Sequence, residues 1–482
     1  MRLKTGVIKL IICFLPLISF SQEVENTKSS LIKSIDSKYK KYRDAALSIW
    51  DFAEVGYKEH KSTALLQKIL SDEGFTVEAG VAGIPTAFIA TYGKGKPVIG
   101  ILGEFDALPG LAQTSSPTRE VISGREAGHA CGHHLFGVGS AAAAIEIKNL
   151  IKSGVLSGTV KFYGTPAEEG GAGKVYMVRA GLFSGVDVVL HWHPGSANSA
   201  NAASSLANMS AKFRFYGQSA HASGAPHRGR SALDGVEAMN HMVNMMREHT
   251  TQDTRIHYVI TDGGKAPNVI PDFAEVYYYV RHPDIQEVKK LFERIKKAAE
   301  GAAIGTETRV DHEVIGGVYN LLPVRSLAQI VHANLSMVGG VPYSDHEIEY
   351  AKKIQSTFEG EKTPDIASSL SVQPFTYDSR GGGGSTDVGD ISWVVPTVGF
   401  RTATWVPGTA GHSWQAVACG GTDIGVKGMM NAAKTMALSA YDLFTRPELI
   451  RTATEEWEKA RGKNFSYEAL LGNRAPALDY RD

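Results

Sequence analysis

At 482 residues the chain exceeds what one compact core ordinarily holds, and a composition of 43% hydrophobic and 21% charged residues is that of a globular, two-domain protein. Lys+Arg and Asp+Glu each number 50, so the formal net charge is zero. That balance, with no basic stripe interleaved with aromatics, argues against a nucleic-acid partner.

The first segment reads as a secretory signal. Arg2, Lys4 and Lys9 form a basic start, Leu10 to Phe20 is an apolar run shorter than the ~20 residues of a spanning helix, and Ser19-Phe20-Ser21 is a small-x-small cleavage site. The expectation is an exported protein, periplasmic or extracellular, cut after Ser21 and left without an integral membrane segment. Of three cysteines, Cys13 would leave with the signal. Two distant cysteines are no disulfide scaffold, so Cys131 needs another explanation.

Tyr39 to Phe52 and Ser62 to Glu73 have helical periodicity, and Ala87 to Tyr92 and Val98 to Leu102 are short apolar runs bounded by glycine. His133 to Leu150 reads as a helix, Thr159 to Tyr163 as a strand, Gly173 to Ala180 as a helix and Val186 to Leu190 as a strand. This alternation predicts an α/β fold with a mainly parallel sheet covered on both faces. The character changes near Ala207. An alternating strand at Ser210 to Tyr216, a helix at Ser231 to Thr250, strands at Arg255 to Thr261 and Ala274 to Arg281, a helix from Ile285 to Ala303 and a strand at Thr306 to Ile315 give the order β-α-β-β-α-β. That order predicts a ferredoxin-like insertion.

Strand-like Val394 to Phe400 and a helix at Ile424 to Phe444 would complete the first domain. The run from Arg380 to Ser385 reads as a flexible loop. The division expected is a signal peptide at 1–21, a catalytic metal-binding domain at 22–206 and 317–446, a lid and dimerisation domain at 207–316, and a polar, weakly periodic tail at 447–482.

Candidate ligands cluster after the predicted strands: Glu104 and Asp106 after Leu102, Glu168 and Glu169 after Tyr163, His191 and His193 after Leu190, and His412 beyond Phe400. Open α/β sheets bind ligands at the carboxyl ends of their strands. Cys131 and His133 open a helix, where the dipole favours a thiolate, and a thiolate with imidazoles suits zinc while carboxylates also tolerate manganese. Taken alone, a buried inert cysteine beside capping histidines explains that segment equally well. In Glu168-Glu169 one carboxylate can bind metal while the other accepts a proton from water, although a lone Glu-Glu pair is more often a solvated turn. Gly170-Gly171-Ala172-Gly173-Lys174 lacks the Ser/Thr and glycine spacing of a nucleotide-binding loop.

Eight motifs occur in order: Gly103-Glu104-Phe105-Asp106-Ala107-Leu108-Pro109, Cys131-Gly132-His133, Pro166-Ala167-Glu168-Glu169, Trp192-His193-Pro194, Ser219-Ala220-His221-Ala222, Asn268-Val269-Ile270-Pro271, Ser385-Thr386-Asp387-Val388-Gly389-Asp390 and Gly411-His412-Ser413-Trp414. Together they resemble the aminoacylase/carboxypeptidase family of co-catalytic metallo-amidohydrolases, from about Asp51 to Phe444. The resemblance implies two divalent ions, Zn2+ or Mn2+, on Cys131, His133, Glu169, His193 and His412, with Cys131 bridging. It implies Glu168 as general base, Asp106 orienting a ligand histidine, and His221 reaching a neighbouring subunit's site to stabilise an oxyanion. Asn268 matches a substrate contact, and Arg281 is a candidate clamp for a substrate carboxylate, with a structural salt bridge as the competing explanation.

Two departures bear on substrate: His134 stands where relatives often carry Asp, and Ser385-Thr386-Asp387-Val388 fits the aminobenzoyl-glutamate branch better than the auxin-conjugate or peptide branches. The implied activity is cleavage of an aminobenzoyl-glutamate-like N-acyl amide next to a free carboxylate, in a homodimer or a heteromer with a paralogous subunit. A dipeptidase or N-acyl-amino-acid deacylase, and a non-catalytic subunit of a heteromeric hydrolase, are the alternatives.

Overall fold

The computed structural model describes residues 6–360, 363–379 and 381–482, with side chains from residue 22 onward. The expected signal at 1–21 therefore lies outside the described residues for its first five positions and for all its side chains. Among the described residues no helix is long and apolar enough to cross a membrane.

A six-stranded sheet organises the first domain, in the order Thr76–Ala79, Phe88–Lys94, Gly158–Gly164, Val98–Gly103, Val188–Leu190, Thr397–Val398. The last four run parallel, while Thr76–Ala79 and Phe88–Lys94 close one side antiparallel. The parallel strands are nearly continuous apolar runs because both faces are covered. One cover is the helix His133–Lys152, whose alanine run packs tightly against Asp423–Thr445. From Val98–Gly103 the chain crosses to Gly158–Gly164 on one side and then to Val188–Leu190 on the other. The order reverses across Val98–Gly103, where an open α/β sheet leaves a crevice.

The lid is a four-stranded antiparallel sheet, in the order Arg255–Asp262, Phe273–His282, Ala207–Tyr216, Arg309–Val318. The helices Ala232–Met246 and Ile285–Gly305 cover one face and bury Phe213, Phe215 and Val276 with it. This is the ferredoxin-like order that the alternation of helix and strand predicts.

Two readings need correction. Val394 to Phe400 is not one strand: a short helix, Val388–Ser392, is followed by strands Thr397–Val398 and Arg401–Ala403. Residues 447–482, read as a weakly periodic polar tail, begin with a regular helix. The helix Pro447–Arg461 starts with proline in its first turn and buries Ala453 and Trp457, and the Trp457 indole donates to the Ser392 carbonyl at 2.6 Å. Leu449, Ile450, Ala453 and Trp457 stand at helical spacing, a signal diluted by the charged residues between them. Beyond that helix, Phe465 packs on Trp393 with ring centroids 4.7 Å apart.

Candidate metal centre and active site

Backbone geometry at two points lets distant segments meet. Gly132 caps the helix His133–Lys152 at φ +76°, and a Cβ there would lie 2.7 Å from Pro194, so a side chain would push apart the segments carrying Cys131 and His193. His412 is left-handed at φ +59°, and its amide donates to the Ala130 carbonyl at 3.0 Å, which fixes it beside Cys131.

Potential donor atoms converge in three overlapping sets, each with its atoms within 4.8 Å of one another: Cys131, His133 and His193; Cys131, Glu169 and His412; His133, Glu168 and Glu169. Cys131 belongs to both of the first two. Its Sγ is 3.3 Å from His193 Nε2, and His412 Nε2 is 3.1 Å from Glu169 Oε1. His191 lines the same cleft but joins no set, and Gly399 packs against its ring.

The contacts behind these atoms select which nitrogen faces inward. His133 Nδ1 is 2.8 Å from Asp106 Oδ1, and His193 Nδ1 is 2.7 Å from the Pro194 carbonyl, so each ring turns Nε2 to the cleft. The other Asp106 oxygen accepts the Glu169 amide at 2.9 Å. The loop carrying Glu168 and Glu169 is wound tightly, with Ala167 at φ +57°, Gly170 at +93° and Ala172 at +55°. The Ala167 amide donates to Glu59 at 2.8 Å, and burial with Asp106 nearby pushes the Glu59 carboxyl up to about 8.

The site is strongly negative. Burial opposes charge on His133, but Cys131, Glu104 and Asp106 outweigh it and hold the ring protonated well above the usual histidine range. Hydrogen bonds to Cys131 and Glu169 push His412 up to about 10. Burial, then Glu104, Glu169 and Asp387, drives the Glu168 carboxyl well above the carboxylate range. Among the described residues the buried His133 Nε2, Glu104 Oε2 and Glu169 Oε1 face only other members of the cluster: His133 Nε2 lies 3.0 Å from Glu104 Oε2, and Glu169 Oε1 lies 3.1 Å from His412 Nε2. Sulfur, nitrogen and oxygen donors crowded together in a negative field are what a pair of divalent cations fits.

Sequence reasoning missed a buried triad behind this set. The Lys174 ammonium sits 2.7 Å from Glu104 Oε1 and 2.7 Å from Asp387 Oδ1, and the Lys174 amide donates to Asp387 Oδ2 at 2.9 Å. Lys174 thus neutralises two buried carboxylates instead of facing a phosphate. His134, the departure from the family pattern, is also structural: its Nε2 is 3.0 Å from the Gly420 carbonyl.

A cleft of about 920 Å³ opens over these residues, walled by Glu168, Glu169 and His412 on one side and by Asn208, Tyr279 and Arg281 of the lid on the other. Residues 382–386 of the glycine-rich loop also line it, while Arg380 lies outside the described residues. Arg281 forms none of the ion pairs found among the described residues. Its Nε is buried without a hydrogen-bond partner, and its guanidinium stacks 5.5 Å from the Tyr279 ring centre. A structural salt bridge therefore does not explain it.

The structure does not bring His221 and Asn268 to this cleft. They sit together on an exposed lid loop, where the Ala222 amide donates to the Asn268 carbonyl at 3.0 Å. His221 Nδ1 accepts from the Gly224 amide at 3.0 Å, which leaves Nε2–H free to donate.

Residues 206–307 match the model of a peptidase dimerisation domain. The chain is 38% identical over 450 residues to one of the subunits of the p-aminobenzoyl-glutamate hydrolase of Escherichia coli, covering 88% of this chain and 94% of that protein. It is 28% identical over 454 residues to a Mus musculus Xaa-Arg dipeptidase, covering 91% and 94%. A solved Bacillus subtilis structure, described as a dinuclear metal-binding peptidase from the M20 family, shares the fold at a TM-score of 0.59 with 16% identity, covering 85% and 99%. Fold, donor set and relatives define a metal-dependent amidohydrolase. The chain belongs to the M20 family, the aminoacylase/carboxypeptidase group that its motifs resemble.

Proposed function

We propose that the chain hydrolyses an N-acyl amide of the aminobenzoyl-glutamate type beside a free carboxylate, with two divalent ions, Zn2+ or Mn2+, held by Cys131, His133, Glu169, His193 and His412. The observation that carries this reading is the sharing of Cys131 between two donor sets, with Glu168 joining the third. The Arg281 guanidinium, which forms no ion pair among the described residues, lines the same cleft and offers a bidentate partner for the substrate carboxylate. The ions would supply Lewis acidity, polarising the amide carbonyl and lowering the pKa of the attacking water. Glu168 accepts that water's proton and returns it to the leaving nitrogen, a role open to a carboxylate that stands within the third donor set.

His221 acts across the interface between two protomers, donating from Nε2 to the oxyanion of a neighbour, a role that fits its place on an exposed loop that does not line its own cleft. The lid's edge strand Arg255–Asp262 supports an assembly, a homodimer or a heteromer with a paralogous subunit, since it exposes Tyr258, Val259 and Ile260. The basic start and short apolar run before Gln22 support export by a cleaved signal.

The test is substrate profiling of the purified protein loaded with each ion, on aminobenzoyl-glutamate, acetylated amino acids and dipeptides, beside Glu168→Gln and Glu169→Ala. Glu168→Gln is expected to keep its metal and lose turnover by roughly 100-fold or more, and Glu169→Ala to lose metal. Preference for dipeptides would overturn the substrate class, and full activity in Glu168→Gln would overturn the mechanism.

A further inference from the structure

Residues 472–482, the end of the segment read from sequence as a polar tail, lie directly behind the loop that carries Glu168 and Glu169. The Tyr480 hydroxyl donates to the Glu169 carbonyl at 3.0 Å, and the Arg481 guanidinium donates to the same oxygen at 2.6 Å. The amide of that residue is already held by Asp106. Both ends of the Glu169 residue are therefore gripped, one from the core of the sheet domain and the other from a segment more than 300 positions later. A loop with two alanines in the left-handed region needs such restraint, because those conformations persist only where surrounding structure over-determines them.

The fit around Tyr480 is specific. A Cβ on Gly56 would stand 2.1 Å from its hydroxyl, so only glycine leaves room there. Its ring meets Tyr57 edge-on with centroids 5.5 Å apart, and the Tyr57 hydroxyl holds the Gly171 carbonyl of the same loop at 2.6 Å. Among the described residues Arg481 Nε is buried with no hydrogen-bond partner, and the guanidinium makes its hydrogen bond through Nη2, to the Glu169 carbonyl, while stacking 4.7 Å from the Tyr480 ring centre. The segment is anchored at its near end by Arg179, which donates to the Gly472 and Arg474 carbonyls at 2.6 and 2.7 Å. Arg474 in turn grips the Val314 and Ile315 carbonyls of the lid strand Arg309–Val318 at 3.1 and 2.8 Å.

We propose that residues 474–481 form a strap that positions the paired carboxylates. Tyr480 and Arg481 fix the Glu169 peptide from behind the site, and Arg474 ties that grip to the lid. Tyr480 and Arg481 are positioning residues: neither lines the cleft, and both act through the backbone of Glu169. The strap rests on the reading that Glu168 and Glu169 carry the chemistry, and it adds that their presentation depends on a segment outside all the recognised motifs.

The experiment uses the full chain with Arg481→Ala, Arg481→Lys, Tyr480→Phe and, as control, Lys58→Ala, whose exposed pair with Asp482 lies next to the strap and does not include Glu169. Zn2+ and Mn2+ affinity is read by competition with a chromogenic chelator, alongside kcat and KM separately and thermal unfolding of the metal-free forms. Arg481→Ala should weaken metal affinity and lower kcat by roughly 10- to 100-fold, as losses behind a metal ligand do, while KM stays within about twofold and the metal-free unfolding midpoint hardly moves. Arg481→Lys, which restores a donor, should recover part of both losses. Tyr480→Phe should cost roughly fivefold, the loss of one hydrogen bond, and Lys58→Ala nothing.

Wild-type metal affinity and kcat in folded Arg481→Ala and Tyr480→Phe would overturn the strap. If Arg481→Ala does not fold, Tyr480→Phe, which removes a single oxygen, decides. Metal affinity is measured without substrate. A wild-type protein inactive on every amide would thus sink the hydrolase reading, while the metal titrations still judge the strap.

Discussion

His133 Nδ1 and Asp106 Oδ1 face each other at 2.8 Å, both fully buried, and this contact decides which imidazole nitrogen the cleft receives. Asp106 serves two donors, one on each oxygen: the His133 ring and the Glu169 amide. Asparagine has one acceptor oxygen and one amino group, so it can satisfy either donor but not both. Asp106→Asn is expected to keep the fold and weaken Zn2+ binding by roughly 10- to 100-fold, measured by chelator competition. Unchanged affinity would mean that the ring orientation is set elsewhere.

Arg281 is expected to act on binding more than on turnover. Arg281→Ala should raise KM for aminobenzoyl-glutamate by roughly tenfold or more, the value of a charge-assisted pair, with kcat much less affected. An analogue whose α-carboxylate is converted to an amide should lose the distinction between wild type and variant. If the variant discriminates against that analogue as strongly as wild type does, the carboxylate is bound by another group.

Metal binding should release protons. His412 is pushed up to about 10 by its bonds to Cys131 and Glu169, so it is charged at pH 7 and must lose its proton to offer a lone pair. Affinity for Zn2+ is therefore expected to rise with pH through neutrality toward about 10. Calorimetry in two buffers of different ionisation enthalpy counts the protons, and His412→Ala should lower the count by about one.

Asp390 gives a stability signature away from the ligands. Burial pushes its carboxyl up to about 7, against the hydrogen bonds it accepts from the Tyr467 hydroxyl at 2.7 Å and the Tyr319 amide at 3.0 Å. The folded value lies above the unfolded one of about 4. The stability this group contributes is thus complete below about pH 4 and lost as pH rises through about 7. In Asp390→Asn that slope should be shallower than in wild type, read from urea midpoints across the window. Parallel slopes would show that Asp390 does not titrate there.

Much of this architecture is written locally. The helices Tyr39–Phe52 and His133–Lys152 and the alternating lid strands appear where apolar spacing places them, because the period of the buried face is set by residues two to four positions apart, even though the strands bond to partners far along the chain. The segment Pro447–Arg461 carries the same kind of spacing with fewer apolar residues, and its helix becomes evident only when Trp457 finds its pocket. Lys174 shows the opposite limit. Nothing in Gly173-Lys174-Val175 reveals that its ammonium bridges Glu104 and Asp387, residues brought together by the sheet and the following turn.

By itself the sequence determined which residue types stand at the carboxyl ends of the strands, the order of the lid's elements and the family to which the chain belongs. The tertiary structure alone decided that Cys131 meets both His193 and His412, that His221 and Asn268 do not line their own cleft, and that Tyr480 and Arg481 reach Glu169. The reason is the range of the interactions. Propensity and periodicity act over one or two turns of chain, whereas a donor set spanning positions 131 to 412 exists only after close packing has fixed where each strand ends.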